Sequence, residues 1–262
     1  MPQRQGSILS PSMFNVYLND LSKELCTLPF GCYINDTCFN HLLYADDTVI
    51  IAPSPAALQT LMDTCSRYIK DNDLKFNVKK SKCMMLPTKK FIDVECPTFY
   101  IDGTAVNNTT CEKYLGYFIS SDCCDDDSIF NVIKGLYSRG NMLKRHFIDC
   151  DIPVKLQLFN SYCSSFYCCS LWCNFKNTSL QRMKISHNNA FRFFLGIPRS
   201  TSVSQEFLKN GLSNFNVLRR KSVFSLLKRV LASHNSLIVT IVTSIYFLHS
   251  TLFKQWKLLL YT

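Results

Sequence analysis

Glycine is scarce in this chain, with eight residues in 262, where an average composition gives about 18. That shortage excludes a protein built mainly on glycine-rich loops. Acidic residues are the minority charge: 19 Asp and Glu stand against 29 Lys and Arg, a net +10. Such an excess favours polyanionic partners, either nucleic acid or an anionic membrane surface; the alternative is a basic protein without such a partner. Met1–Leu9 contains Arg4 and no apolar run, so no signal peptide is expected. The 14 cysteines therefore read as reduced, intracellular thiols. Cys163, Cys168, Cys169 and Cys173 cluster without a CxxC pair or nearby histidines, which suits small buried hydrophobes on a helix better than a zinc site. Cys123–Cys124 beside Asp125–Asp127 is no more specific. His41, His146, His187, His234 and His249 lack ligand spacing and read as structural or surface residues. Apolar residues make up 47% of the chain and aromatics 13%, enough for a packed core, so disorder and collagen-like order are excluded. The length suits one large or two small domains.

Along the chain, Ser10-Pro11 is a cap-and-proline signal that opens a helix, with Phe14, Leu18, Leu21 and Leu25 at helical spacing. Gly31 to Phe39 reads as a short extended stretch. His41–Pro53 reads as two apolar strands meeting at an acidic turn. Ser54-Pro55 repeats the helix-opening signal, followed by a stripe of Leu58, Leu61, Met62, Cys65, Tyr68 and Ile69. Lys75–Leu86 is a basic loop entering a strand over Cys83–Leu86. Asp102-Gly103 between Phe99–Ile101 and Thr104–Val106 predicts a tight hairpin, and Tyr114–Ile119 a further strand. From about Ser128 the period becomes helical: Ile129, Val132, Ile133, Leu136 and Leu143 form one stripe. A second helix runs from Pro153 to about Trp172, and a third from Ser179 to the stop at Gly196 and Pro198. A fourth covers Asn216–Ser233 and exposes Arg219, Arg220, Lys221, Lys228 and Arg229. Leu237–Phe253 is an apolar run of membrane-span length at its short limit; a buried terminal helix or strand reads the same, and an anchor is the lesser reading. The fold class is α+β, with a boundary near Cys123–Asp127 separating a mixed region, 1–122, from a helical one, 123–235, and a hydrophobic C-terminal segment, 236–262.

Tyr44-Ala45-Asp46-Asp47 carries the chemistry. Neighbouring side chains on a strand point to opposite faces, so two adjacent carboxylates serve one metal only where the chain turns sharply, as the flanking apolar runs place them here. Two carboxylates this close repel, and a divalent cation reverses that cost. Mg²⁺ takes hard oxygen ligands and keeps waters and phosphate in its shell, with Mn²⁺ as the alternative ion. Two such ions about 4 Å apart can activate a 3′-hydroxyl and stabilise a leaving pyrophosphate.

This tetrad resembles the signature of reverse transcriptases, and other stretches fall in that family's order. Arg4-Gln5-Gly6-Ser7-Ile8-Leu9-Ser10-Pro11, running into Phe14-Asn15-Val16-Tyr17-Leu18-Asn19-Asp20-Leu21, resembles the palm motif just upstream of the catalytic hairpin. Its glycine lets backbone approach the nucleotide, a role the resemblance gives to Gly6 with Gln5 beside it, and Tyr44 and Ala45 join them at the nucleotide site. Asn77, Lys80, Ser81 and Lys82 resemble a loop near the triphosphate, where Lys80 or Lys82 would offset phosphate charge or donate a proton. Tyr114-Leu115-Gly116 resembles the element that positions the primer. The RQGxxLSP form, Phe194–Thr201 and Leu218-Arg219-Arg220-Lys221 resemble non-LTR (LINE-type) retrotransposon enzymes, over about residues 4–235.

The resemblance implies an RNA-directed DNA polymerase, a nucleotidyltransferase using an RNA template–DNA primer duplex, dNTP and magnesium, with Asp46 and Asp47 as catalytic metal ligands. The fold it implies is a partial right-hand palm followed by a thumb-like helical domain, in which Arg139, Lys144, Arg145, Arg182, Lys184, Arg219, Arg220 and Lys221 meet nucleic acid through phosphates. No protein partner is expected, and the setting is intracellular, nuclear or cytoplasmic. The family pattern also needs a third aspartate upstream of Gly6, and Met1–Gln5 contains no acid. Asp20, Glu24 and Asp36 have no reason to face Asp46. The expectation is a C-terminal, inactive portion of such an enzyme, with fingers and any endonuclease domain further upstream. The runner-up is a non-catalytic nucleic-acid-binding remnant that uses the basic helices and no metal.

Overall fold

Ser10-Pro11 does open a helix. In the computed structural model, which describes residues 10–86 and 95–261 (the side chains of 10–15 excepted), α1 spans Ser10–Thr27. Arg4–Leu9, with Gln5 and Gly6, lies outside the described residues. Leu18, Leu21 and Leu25 of α1 are buried against Leu61, Cys65 and Ile69 of α2, Pro55–Asp71. Ser54 caps α2 by accepting the Ala57 N–H at 3.3 Å, a contact worth about 1 kcal/mol. The other side of α2 gives Leu58 and Met62 to a second cluster of Cys83, Phe99, Ile101 and Val106. One helix therefore serves two small cores, which is why its apolar stripe is wide.

Four hairpins carry most of the strands. The stretch 31–39, expected to run extended, folds back on itself as β1, Cys32–Ile34, and β2, Thr37–Phe39. Asn35 makes the reversal at φ 51°, a left-handed conformation that asparagine tolerates. The strands β3, His41–Tyr44, and β4, Asp47–Ile50, pair antiparallel. The Asp102-Gly103 turn joins β6, Phe99–Ile101, to β7, Thr104–Asn108, with φ of 51° and 73°. The strand expected at Cys83–Leu86 is only β5, Lys82–Cys83, and pairs parallel with β7. Gln59 of α2 completes this sheet's edge: its Nε2 donates to the Tyr100 carbonyl at 2.8 Å and its Oε1 accepts the Tyr100 N–H at 3.1 Å. The stretch 114–119, read as one strand, is a hairpin too, β8, Cys111–Tyr114, and β9, Tyr117–Ser120.

The chain forms two compact units, one ending at Thr110 and the other beginning at Cys111. The β8–β9 hairpin belongs to the helical unit because it is bonded to α3, Asp126–Phe147. The Phe118 N–H donates to Ser128 Oγ at 3.0 Å, and that hydroxyl donates to the Phe118 carbonyl at 3.1 Å. Helix α4, Ile152–Cys163, stops nine residues short of the expected Trp172. Buried Cys163, Phe166, Cys169 and Trp172 recur every three residues, which imitates helical spacing. The segment is irregular instead, with Cys168 at φ 56°, so of the clustered cysteines only Cys163 is helical. Asp125 pins this segment: its Oδ2 accepts the Cys173 and Asn174 N–H groups at 2.7 Å each, and the Tyr117 hydroxyl donates to its Oδ1. Burial pushes the Cys163 and Cys173 thiols up to about 11, so both stay protonated near neutrality.

The remaining helices are α5, Asn177–Leu195, α6, Val203–Lys209, α7, Phe215–Leu231, α8, Ser236–Thr243, α9, Ile245–Leu248, and α10, Thr251–Tyr261. Gly140 of α3 lies against Ala190 of α5, and side chains from α3, α4, α5, α6 and α7 form one core. The apolar run 237–253 breaks at Ser244, whose hydroxyl caps α9 by accepting the Phe247 N–H at 3.2 Å. It is neither a strand nor one continuous helix. Among the described residues, no helix is long and apolar enough to cross a membrane. Phe247 and Trp256 pack with Val223 of α7, and Trp256 Nε1 donates to the Ser170 carbonyl at 2.7 Å.

His187 is fully buried among aromatic rings. It stacks on Phe207 with centroids 5.3 Å apart and planes at 3°, and it meets Phe159 and Phe166 at 5.4 and 5.2 Å. Neither ring nitrogen has a partner among the described residues. Burial pushes its pKa down to about 4 from an ordinary 6.5, so the proton binds the unfolded chain more readily than the folded one. The stabilising effect of this group is complete above pH 6.5 and is lost as pH falls toward 4. Urea midpoints at the two pH values should show His187→Leu losing about 3 kcal/mol less than the parent on acidification. Equal acid sensitivity would remove His187 as its source.

Candidate active-site hairpin and basic surface

The pairing of β3 with β4 determines where the acidic tetrad points. Leu42 faces Val49, Leu43 faces Thr48, and Tyr44 faces Asp47. Directly opposed residues share a face and successive ones alternate. Leu43 and Ile50 pack on the α1–α2 cluster, so their face is the inner one. Leu42, Tyr44 and Asp47 consequently share the outer face, and Tyr44 leaves 61% of its surface open. Ala45 and Asp46 form the two-residue tip, with Ala45 at φ 50°. A positive φ at the first turn position matches the strand twist, though an alanine there carries strain that glycine would not. Asp46 and Asp47 are both exposed, one on the tip and one beginning β4.

The root of the hairpin is clasped to α1. Asn40 Nδ2 donates to the Leu25 carbonyl at 2.7 Å. His41 sits between Asn40 Oδ1 and Ser22 Oγ, 2.7 Å from each, and burial lowers its pKa. The Ile51 N–H donates to the Asn40 carbonyl at 2.8 Å. Asn40 and His41 therefore hold the strands from which the tetrad projects. Nothing in the sequence marks Asn40, because an asparagine before a strand reads as an ordinary loop residue.

Two exposed oxygen-rich side chains suit one hard divalent cation whose shell is completed by water or phosphate. Among the described residues, no group of three His, Cys, Asp or Glu could hold a metal ion, so a second ion would need another carboxylate. Asp20 is paired with Lys23 at 2.9 Å, Glu24 with Arg67, and Asp36 lies exposed in the β1–β2 turn. Lys80 lies in a turn closed by its N–H to the Asn77 carbonyl at 2.9 Å. Lys82 begins β5, next to buried Cys83. Both lysines are exposed, and neither forms an ion pair among the described residues.

In the helical unit, Leu115 and Gly116 form the tip of the β8–β9 hairpin, with φ of 46° and 85°. The Tyr167 hydroxyl donates to the Leu115 carbonyl at 2.6 Å, and its ring stands 3.0 Å from where a Gly116 Cβ would be. The triplet Tyr114-Leu115-Gly116, expected from the sequence to position a primer, is thus held by a residue that no local signal connects to it. Arg145, Arg182, Arg220 and Lys221 are exposed, while Arg139, Lys144 and Lys184 are partly covered. Arg219 departs from the expected exposed face. It is 4% exposed, donates from Nη2 to the Trp172 carbonyl at 3.3 Å and stacks on Phe175 at 5.0 Å. Its buried position lowers its pKa and removes it from the basic surface. The physical reason is that α7 turns this position toward the irregular segment before α5, whose free carbonyls need donors.

Gly116→Ala should destabilise the helical unit by about 1–3 kcal/mol in urea unfolding, from backbone strain and the Tyr167 ring together. In a Tyr167→Ala background the same change should cost less. An unchanged increment would show that the ring is not what the added methyl meets.

Residues 3–119 match the family described as reverse transcriptase (RNA-dependent DNA polymerase). A retrovirus-related Pol polyprotein from the type-2 retrotransposable element R2DM of Drosophila melanogaster is 31% identical over 121 residues, 43% of this chain and 11% of that protein. Two Pol polyproteins from the type-1 retrotransposable element R2 of Popillia japonica are each 24% identical over 139 residues, 51% of this chain and 23% or 20% of their own lengths. The chain therefore spans less than a quarter of each of these relatives. The match covers α1, the acidic hairpin and the strands up to Ile119, and over that stretch the chain is similar to reverse transcriptases of non-LTR retrotransposons.

Proposed function

We propose that this chain is the palm portion, with a following thumb-like helical region, of an RNA-directed DNA polymerase that copies RNA from a DNA primer. The observation that supports this most is the Tyr44-Ala45-Asp46-Asp47 tip, carried by an antiparallel pair whose inner face packs half-buried on the α1–α2 cluster and whose outer face leaves Tyr44 and Asp47 exposed. Asp46 and Asp47 would hold a divalent cation, Mg²⁺ or Mn²⁺, from that open side. When bound, such ions activate the primer 3′-hydroxyl and neutralise charge on the leaving pyrophosphate. Tyr44 and Ala45 would line the nucleotide site, as would Gln5 and Gly6. Lys80 or Lys82 would meet the phosphates. The Leu115–Gly116 tip, steadied by Tyr167, would seat the primer end. Exposed Arg145, Arg182, Arg220 and Lys221 would follow the phosphates of the template–primer duplex, giving affinity without sequence choice.

Among the described residues no third acid, histidine or cysteine joins Asp46 and Asp47, so the 262-residue polypeptide assayed by itself should bind rather than polymerise. Manganese titration should reveal one weak site that disappears in the Asp46→Asn/Asp47→Asn double variant. Primer extension on a primed RNA template should not exceed that of Asp46→Ala. Duplex affinity should fall steeply between about 50 and 200 mM salt. Manganese binding unaffected by the double variant would favour a binding remnant that needs no metal, and incorporation above the Asp46→Ala background would refute inactivity.

A further inference from the structure

A groove of about 500 Å³ runs between α3, α5 and the loop after α5. Its lining is cationic, aromatic and amide-bearing, and includes no carboxylate. Lys144 of α3 places its Nζ 3.8 Å from the ring centroid of Phe193 on α5. The ring holds the ammonium in place without cancelling its charge. The loop is set by Arg192, whose Nη1 donates to the Pro198 and Arg199 carbonyls and whose Nη2 donates to the Thr201 carbonyl, all at 2.9 Å. Gly196, at φ 70°, lets the chain leave α5 in that direction. One arginine is thus used to shape a loop that presents another, Arg199, exposed. Neither Lys144 nor Arg199 forms an ion pair among the described residues.

The aromatic part of the groove is also prepared. Tyr137 and Phe193 each keep 44% of their surface open. The Tyr137 hydroxyl donates to Ser186 Oγ at 3.1 Å, which orients the ring before any ligand arrives. Asn141 and Asn189 add exposed amides that can both donate and accept.

We propose that this groove binds an unpaired stretch of nucleic acid, with bases against Tyr137 and Phe193 and phosphates near Lys144 and Arg199. Ring faces accept bases that are free of a duplex stack, because pairing hides those faces. A duplex would satisfy the cations and leave both rings uncovered. An acidic peptide would satisfy the cations and leave rings and amides without planar, hydrogen-bonding partners. The inference deepens the nucleic-acid reading above, on which it rests, by assigning a single-strand site whose lining includes none of the duplex-following residues Arg145, Arg182, Arg220 and Lys221.

Fluorescence anisotropy on the full chain tests it, using a labelled oligothymidylate of about 12 nucleotides and a blunt duplex of equal length. Tyr137→Ala/Phe193→Ala should weaken the single strand about tenfold or more and leave duplex affinity within about twofold. Lys144→Gln/Arg199→Gln should lower the single-strand salt slope by about 1.4, from two lost phosphate contacts. Asn189→Glu, at an exposed position of the groove, should weaken single-strand binding while leaving the duplex within about twofold, and decides the matter if the aromatic variant does not fold. Arg220→Gln/Lys221→Gln should do the reverse, weakening the duplex alone. Single-strand affinity unchanged by the groove variants, or single strand and duplex weakened equally, would overturn the proposal. A parent chain that binds no duplex, yet binds single strand in a way the groove variants weaken, would instead remove the thumb-like reading and leave the groove standing.

Discussion

Packing of half-buried Leu43 and Ile50 against α1 and α2 is the constraint on which the acidic hairpin depends. Strand side chains alternate, so once that face is turned inward, Tyr44 and Asp47 must look outward. A register slip of one residue would bury Asp47 and expose Leu43, at the cost of desolvating a carboxylate. Asn40 and His41 oppose such a slip from the other end, since their bonds to the Leu25 carbonyl and Ser22 anchor the strand root to α1. Hydrophobic packing thus selects the face, and two polar side chains select the height at which the tip stands.

The helical unit is organised by a different device. Asp125 accepts two backbone N–H groups from the segment before α5 and a hydroxyl from Tyr117. One buried carboxylate joins a hairpin, a helix start and an irregular stretch, supplying acceptors that regular structure does not provide there. Arg219 supplies a donor to the same stretch through the Trp172 carbonyl. Without these two side chains, the Cys173 and Asn174 N–H groups and the Trp172 carbonyl would lose the partners they have here.

Aromatic rings do much of what carboxylates do in less basic proteins. With 29 Lys and Arg against 19 acids, four ion pairs are found among the described residues. Lys134 lies over Phe130 at 4.6 Å, Lys144 over Phe193 at 3.8 Å, and Lys257 over Phe253 at 4.7 Å. A ring steadies a cation without removing its charge. Those side chains remain available to an anionic ligand, and this links the composition to the polyanion binding proposed for the surface.

Local chemistry written into a few adjacent residues was legible without coordinates. Ser54-Pro55 opens a helix, Asp102-Gly103 closes a hairpin, and Tyr44–Asp47 sits between two apolar runs, because each depends on near neighbours alone. The turns at Asn35 and at Leu115–Gly116 were hidden inside runs that read as extended. The repeat of buried residues from Cys163 to Trp172 passed for a helix, since a spacing of three fits both an amphipathic helix and a chain touching the core at intervals. Arg219 inside the protein, Tyr167 against Gly116, and a groove assembled from α3, α5 and a loop tied by Arg192 were decided only by the fold. Each joins residues distant in sequence, and which of a helix's charged positions faces inward depends on the partner that packs against it.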